Sequence, residues 1–160
     1  MKKIYCSEVA SKRKPTGFDG VVLYHGFNAF FSGKPYEYKF NQLMKNPQRE
    51  ICTSTSYLGM MGVTIEGEIL VASSDDLCSD VDENGRFFYE SDMDSIVYDY
   101  ADLDLHIGEN DENNEIIIKN TKITGIWITS DANNNLKALA KMLAEKHNLP
   151  LIEMGESIFN

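Results

Sequence analysis

The amino-acid sequence predicts an α+β protein whose strands are mostly antiparallel. Short runs rich in β-branched and aromatic residues recur along the chain, for example Val21–Tyr24 and Ile123–Ile128. Only two segments have the spacing of an amphipathic helix, one from Pro35 to Lys45 and one from Ser130 to Asn148. Because strands and helices do not alternate regularly, the pattern does not fit a doubly wound parallel sheet.

Six apolar or alternating runs account for most of the predicted strands. In chain order they are Ile4-Tyr5, Val21–Tyr24, Arg49–Ser56, Val63–Ala72, Phe87–Tyr89 and Ser95–Tyr98. Asn84-Gly85 is a two-residue hairpin signal directly before Phe87–Tyr89. The same segment begins like a calcium loop, but its twelfth position is Ser91, so a hairpin turn with solvated acids is the simpler interpretation.

The two helices have clear sequence boundaries. Pro35 precedes an i, i+4, i+7, i+8 apolar pattern that starts at Tyr36, and Pro47 ends it. Ser130-Asp131 is a capping signal for the second helix, which Pro150 terminates. Leu151-Ile152 could then add a final edge strand.

The segment Asn113–Ile128 is the most distinctive part of the chain. Ile116–Ile118 and Ile123–Ile128 are predicted as two buried strands joined by a tight turn at Lys119–Lys122. Glu115 is the last polar residue before the first of these strands. A carboxylate there is held on a rigid element and can face a cleft, or it can serve only as a gatekeeper at the strand edge.

Length and composition are those of a globular protein. With 160 residues, 42% hydrophobic and 25% charged, we expect one domain over residues 1–160. No apolar run approaches the roughly 20 residues of a membrane-spanning helix, and no apolar segment follows the basic start, so neither a membrane partner nor a secretory signal is expected. Cys6, Cys52 and Cys78 are odd in number and widely spaced, which argues against disulfides and against a metal site. A cytoplasmic location follows.

The net charge of −10 is concentrated in one part of the chain. Between Asp75 and Glu115 there are 15 acidic residues and one basic residue, Arg86. Such a segment repels nucleic-acid backbones and favours a basic protein partner, although solubility alone would also explain it.

Three polar motifs stand at the ends of predicted strands. His25-Gly26 follows Val21–Tyr24, Ser54-Thr55-Ser56 ends Arg49–Ser56, and Glu115 opens the strand Ile116–Ile118. In this order they resemble the motifs of the mono-ADP-ribosyltransferase superfamily. Members of that family carry Tyr-His-Gly or an arginine on the first core strand, Ser-Thr-Ser on the second, and a catalytic glutamate opening a later strand. The resemblance covers roughly residues 20–128.

The resemblance implies a fold, a cofactor and a class of target. The fold would be an ADP-ribosyltransferase-like split β-sandwich of mostly antiparallel strands with a few flanking helices. The cofactor would be NAD. Small members of this type are bacterial toxins or phage-encoded effectors that modify a host macromolecule, and here a protein is expected rather than a nucleic acid.

It also implies a catalytic pair. Breaking the nicotinamide–ribose bond of NAD generates positive charge on the sugar, which a fixed carboxylate stabilises. By resemblance that carboxylate is Glu115, and Ser54 orients it.

The remaining motif residues would bind the cofactor. His25 would contact a ribose hydroxyl, the Gly26 backbone would contact the carboxamide, and Tyr57 would stack on nicotinamide. Thr55 and Ser56 complete this set. Asn113 stands where arginine-modifying members carry glutamate, so arginine is not the acceptor that we expect. The chain also combines a histidine motif with Ser-Thr-Ser, which usually occur in different branches of the family.

Two other functions fit the same sequence. One is a non-catalytic acidic inhibitor or binding protein that mimics nucleic acid or covers a basic surface of its partner. The other is a degenerate transferase fold that only binds nucleotide. An experiment with NAD distinguishes the three functions. NAD should raise the thermal stability of an enzyme, which should also release nicotinamide, whereas it should only raise the thermal stability of a nucleotide-binding relic. An acidic inhibitor should show neither effect.

Overall fold

A computed structural model describes residues 2–9, 21–27, 34–73, 80–91 and 115–158. The elements in these ranges are β1 (Lys2–Tyr5), α1 (Cys6–Val9), β2 (Leu23–Gly26), α2 (Tyr36–Lys45), β3 (Ile51–Thr53), β4 (Met61–Ser73), β5 (Asp80–Val81), β6 (Phe87–Ser91), β7 (Glu115–Thr129), α3 (Asn134–His147) and β8 (Leu151–Met154). The pairs β1–β6, β2–β4, β3–β7 and β5–β6 are antiparallel, whereas β7 and β8 pair in parallel. The predicted α+β class with mostly antiparallel strands is therefore confirmed. The predicted strand Ser95–Tyr98 lies outside the described residues, as do Cys78 and Asn113.

The chain divides into two compact units. Unit 1 comprises Met1–Val21, Gln48–Ser56 and Gly67–Thr121, and unit 2 comprises Val22–Pro47, Tyr57–Glu66 and Lys122–Asn160. The long strands β4 and β7 each contribute residues to both units. The single domain expected from the chain length stays a prediction.

Unit 1 contains a three-stranded antiparallel sheet with the order β1-β6-β5. The hairpin between β5 and β6 turns through Glu83-Asn84-Gly85, one residue longer than the predicted two-residue turn at Asn84-Gly85. The Gly85 N–H donates to the Asp82 carbonyl oxygen at 3.0 Å, and Gly85 takes a positive φ of 79°. Asp82 stabilises the turn because its Oδ1 accepts hydrogen bonds from the backbone N–H groups of Arg86 and Asn84. These hydrogen bonds lower the pKa of Asp82, and the bond from the Arg86 N–H has the larger effect.

The core of unit 1 lies between this sheet and the strands β3, β4 and β7. It contains the buried side chains of Ile4, Cys6, Leu70, Val71, Tyr89 and Ile117, with Cys52 and Phe87 packed against them. β3 pairs with the first part of β7, so that Cys52 lies opposite Ile117 and Thr53 lies opposite Ile116. The triple isoleucine of β7 is therefore a buried strand, as predicted.

The predicted turn at Lys119–Lys122 is wrong, because β7 runs without a break from Glu115 to Thr129. Asn120 takes a left-handed conformation with φ 53°, which asparagine tolerates, and its Nδ2 donates to Glu68 Oε2 at 3.1 Å. On β4, Gly67 faces this position, and a Cβ there would lie 2.7 Å from the Lys119 carbonyl oxygen. The polar residues thus form the exposed middle of one long strand.

Unit 2 contains β2, the first part of β4, the second part of β7, and β8, hydrogen-bonded in that order. His25 lies opposite Val63 and Gly26 lies opposite Gly62. Trp127 on β7 is fully buried beside these glycines. An added Cβ at Gly62 would lie 2.7 Å from the indole ring, so Gly62 makes room for it, whereas Gly26 makes room for the Leu58 carbonyl oxygen.

Both predicted helices are present in unit 2. α2 buries Phe40 and Leu43. α3 is capped by Asn133, whose side chain accepts from the Leu136 N–H at 2.9 Å, and not by Ser130-Asp131 as predicted. Asp131 is used differently, since its Oδ1 accepts from the Ser157 N–H at 2.9 Å.

The predicted final strand is confirmed as β8. It pairs in parallel with β7, with Trp127 opposite Ile152, so that β7, α3 and β8 form one β-α-β unit. Among the described helices, none is both long enough and apolar enough to cross a membrane.

Candidate functional site

Glu115 and Ser54 come together in unit 1 at the end of the β3–β7 ladder. Thr53 and Ile116 are the last paired residues of this ladder. Ser54 directly follows Thr53 and Glu115 directly precedes Ile116, so the two side chains flank the same pair. Glu115 is only 6% exposed, whereas the sequence had suggested a carboxylate facing a water-filled cleft.

The end of β3 and the residues after it form a buried run of hydroxyl groups, namely Thr53, Ser54, Thr55 and Ser56. Thr53 Oγ1 donates to the Ile116 carbonyl oxygen at 2.8 Å, which fastens the run to β7. The Ser54 hydroxyl accepts a hydrogen bond from the Ser56 N–H at 3.2 Å. These two bonds fix the positions of Thr53 and Ser54 next to the start of β7.

Cys6 is a neighbour of this site that the sequence did not identify. Its side chain is fully buried, and burial is the main cause that raises the pKa of its thiol to about 12. The negative charges of Glu50 and Glu115 raise it further, which places both carboxylates within electrostatic reach of the sulfur. The thiol is therefore neutral at physiological pH and adds no charge beside Glu115.

His25, Gly26 and Tyr57 lie in unit 2, where they are accompanied by two further aromatic rings. Tyr24 and Tyr57 meet edge to face, with ring centroids 6.3 Å apart. Tyr57 also packs on Trp127 at 5.5 Å, and its hydroxyl donates to the Glu156 carbonyl oxygen at 2.9 Å. Burial raises the pKa of Tyr24, so its hydroxyl is neutral at physiological pH.

The predicted site residues therefore occur as two groups. Unit 1 brings together Ser54, Thr55, Ser56 and Glu115, and unit 2 brings together His25, Gly26 and Tyr57. The first group consists of a carboxylate and hydroxyl groups, the types of group that hydrogen-bond a sugar, and all of them are buried. The second contains a histidine and a half-buried tyrosine ring, on whose face a flat ring can stack.

The sequence did not predict that Cys6 and Trp127 would lie next to the two groups. Cys6 is distant along the chain from Cys52 and Glu115, and only the packing of unit 1 joins them. Trp127 looked like an ordinary core residue of an apolar strand. A hint existed in Gly62, since a glycine within an apolar strand can mark a place where a large ring approaches the backbone.

Unit 2 also contains a cavity of about 350 Å³ that none of these residues lines. It is bordered by the end of β7, by α3 and by β8, and both Lys137 and Lys141 face it. Within the described ranges, no cluster of three or more histidine, cysteine or acidic side chains is arranged to hold a metal ion.

Comparison of the chain with protein-family models, with curated proteins and with solved structures finds no match.

Proposed function

We propose that this protein is an NAD-dependent ADP-ribosyltransferase that modifies a macromolecular target, most naturally a protein. The observation that supports this proposal best is the position of Ser54 beside Glu115. The Ser-Thr-Ser motif and the glutamate were 59 residues apart in the sequence, yet they flank one residue pair of the β3–β7 ladder. An orienting serine must lie close to the carboxylate that it orients.

The burial of Glu115 supports a catalytic role for its charge. A carboxylate that is 6% exposed acts through a medium of lower dielectric constant than water, so its attraction for a developing positive charge is stronger. NAD would supply the ADP-ribosyl group through cleavage of its nicotinamide–ribose bond. Glu115 would stabilise the positive charge on the ribose, and the hydroxyl run would keep the carboxylate in place.

The roles proposed in unit 2 are those that the family resemblance implies. His25 would bind a ribose hydroxyl, and the backbone of Gly26 would contact the carboxamide. The Tyr57 ring would stack on nicotinamide, since its hydroxyl is anchored to Glu156 and its ring is supported by Trp127. A ring that is already fixed loses little conformational entropy when a ligand stacks on it.

Binding and catalysis can be tested separately with two variants. For Glu115→Gln we expect a fall in nicotinamide release of roughly 10²–10³-fold with little change in NAD affinity, because the charge acts mainly in the transition state. For His25→Ala we expect weaker NAD binding together with a lower rate. Glu90→Gln, an exposed carboxylate on β6, is the matched control and should behave like the wild type.

NAD affinity by calorimetry and nicotinamide release by chromatography give both quantities. The thermal stability of each variant should be recorded alongside, since Glu115 is buried. A Glu115→Gln variant that folds normally and keeps most of its nicotinamide release would overturn the proposal.

The distribution of charge favours one alternative. Unit 1 contains 19 acidic and 8 basic residues, whereas unit 2 contains 6 acidic and 7 basic residues. A non-catalytic protein that covers a basic surface of its partner would use such an acidic unit. It would neither bind NAD nor release nicotinamide.

A further inference from the structure

The cavity of unit 2 has a position typical of ligand sites. It lies where β7 ends and α3 follows, beside the parallel neighbour β8. In β-α-β units, ligands commonly bind in the crevice outside the carboxyl ends of the parallel strands. At about 350 Å³ the cavity lies at the lower end of the size range of small-molecule sites, so it suits a mononucleotide better than a dinucleotide.

One wall of the cavity is cationic. Lys137 and Lys141 both line it and lie one helical turn apart on α3, where residues four positions apart share a face. Lys137 Nζ donates to the Ser130 carbonyl oxygen at 2.8 Å, which holds the ammonium group at the cavity. An ammonium group has three donors, so Lys137 can also bind an anion.

The β7–β8 side of the cavity forms a largely apolar wall that carries one carboxylate. Ile128 in this wall is buried. Leu151 is 36% exposed, a high value for leucine, and it lines the cavity. Glu153 is the acidic residue among the described residues of the lining, and its carboxylate can accept hydrogen bonds from hydroxyl groups of a ligand.

These three features describe a ligand with an anionic group, adjacent hydroxyl donors and a flat apolar part. We infer that the cavity binds a nucleoside monophosphate. Its phosphate contacts Lys137 and Lys141, its ribose hydroxyls donate to Glu153, and its base packs on Leu151. The site shares no residue with the groups proposed for NAD.

The direct test is calorimetric titration of the full-length protein with AMP, adenosine and inorganic phosphate. AMP should bind at least about tenfold more tightly than either fragment, because only AMP engages both the lysines and the apolar wall. Replacing both Lys137 and Lys141 with alanine should weaken AMP binding by roughly ten- to a hundredfold. Lys146→Ala, on the same helix but outside the cavity, should leave it unchanged.

The ribose contact has its own test. Glu153→Ala should weaken AMP binding, but it should not weaken binding of 2′,3′-dideoxy-AMP, which lacks the two donors. All of these lysines and Glu153 are exposed, so the variants should fold. No AMP binding, phosphate binding as tight as AMP binding, or an equal loss in Lys146→Ala would overturn the inference. Glu115→Gln should bind AMP normally, so this test and the NAD test can fail independently.

Discussion

Cys6 is a residue whose chemistry the fold changes strongly. Burial, helped by the charges of Glu50 and Glu115, raises the pKa of its thiol from 9.0 to about 12. The folded state therefore keeps a proton that the unfolded state loses at alkaline pH. The resulting stabilisation is complete below the unfolded pKa and is lost as the pH rises from about 9 to about 12.

We expect Cys6→Ala to change how stability depends on pH. Its free energy of unfolding should fall less steeply between about pH 8 and pH 10.5 than that of the wild type, because no thiol titrates there. Urea denaturation at several pH values measures this slope. Ser7→Ala, in the same helix, should keep the wild-type slope. Equal slopes in Cys6→Ala and the wild type would mean that folding does not raise the pKa of the Cys6 thiol.

Gly62 is a position where one added methyl group should be costly. A Cβ there would collide with the carbonyl oxygen of His25 and would lie 2.7 Å from the Trp127 ring. We expect Gly62→Ala to lower the free energy of unfolding by about 3 kcal/mol. Gly155→Ala is the control, since its Cβ would meet only Tyr57 Oη at 3.6 Å, an ordinary contact. Denaturant unfolding that gives equal stabilities for the two variants would contradict the packing described for unit 2.

At the residue scale, the sequence predicted which polar residues lie near one another better than it predicted how deeply they are buried. The motif resemblance selected Ser54 and Glu115, and the structure brings them to one end of a ladder. The resemblance gave no sign that Glu115 would be buried or that Cys6 would lie near Glu115. Burial depends on packing between segments that are distant along the chain, which a local pattern does not contain.

Among the elements, β7 shows why the strand prediction was only partly right. Its two apolar runs were recognised, but the polar residues between them were interpreted as a turn. Asn120 and Lys122 are exposed positions in the middle of a continuous strand. A polar run with an asparagine looks the same in a turn and on the exposed stretch of a long strand.

The helix α3 shows a similar competition at its start. The sequence prediction placed the cap at Ser130-Asp131, although Asn133 is an equally good capping residue. In the structure Asp131 binds Ser157, a residue far along the chain. This leaves Asn133 as the cap.

We expect Asn133→Ala to lower the free energy of unfolding by about 1 kcal/mol, because the Leu136 N–H loses its acceptor. Asn135→Ala should be neutral or slightly stabilising, since it is exposed within the helix and alanine is the better helix former. Urea denaturation of the two variants measures the difference. If the two variants are equally stable, Asn133 is not the cap.

For the whole molecule, the dominant feature is the unequal division of charge. Unit 1 holds 19 of the 25 acidic residues. Repulsion among them opposes folding, and salt screens this repulsion over distances of about 8 Å at physiological ionic strength. The acidic segment was evident from composition, whereas the division of the chain into two units was not, because it depends on contacts along β4 and β7.

We therefore expect added salt to stabilise the protein. The melting temperature should rise as NaCl increases from about 0.02 M to about 0.3 M, because these concentrations shorten the screening length considerably. Choline chloride at the same ionic strength should give the same rise, since screening does not depend on the cation. A melting temperature that does not change would mean that the acidic residues do not repel one another appreciably.

The central claim is that Glu115 catalyses transfer of ADP-ribose from NAD to a macromolecule. The most direct measurement is intact-mass spectrometry of a bacterial lysate incubated with the protein and isotopically labelled NAD. We expect a protein that gains the labelled mass of one ADP-ribose with the wild type, a strong reduction with Glu115→Gln, and no reduction with Glu90→Gln. No labelled protein with the wild type, or equal labelling by wild type and Glu115→Gln, would contradict the claim.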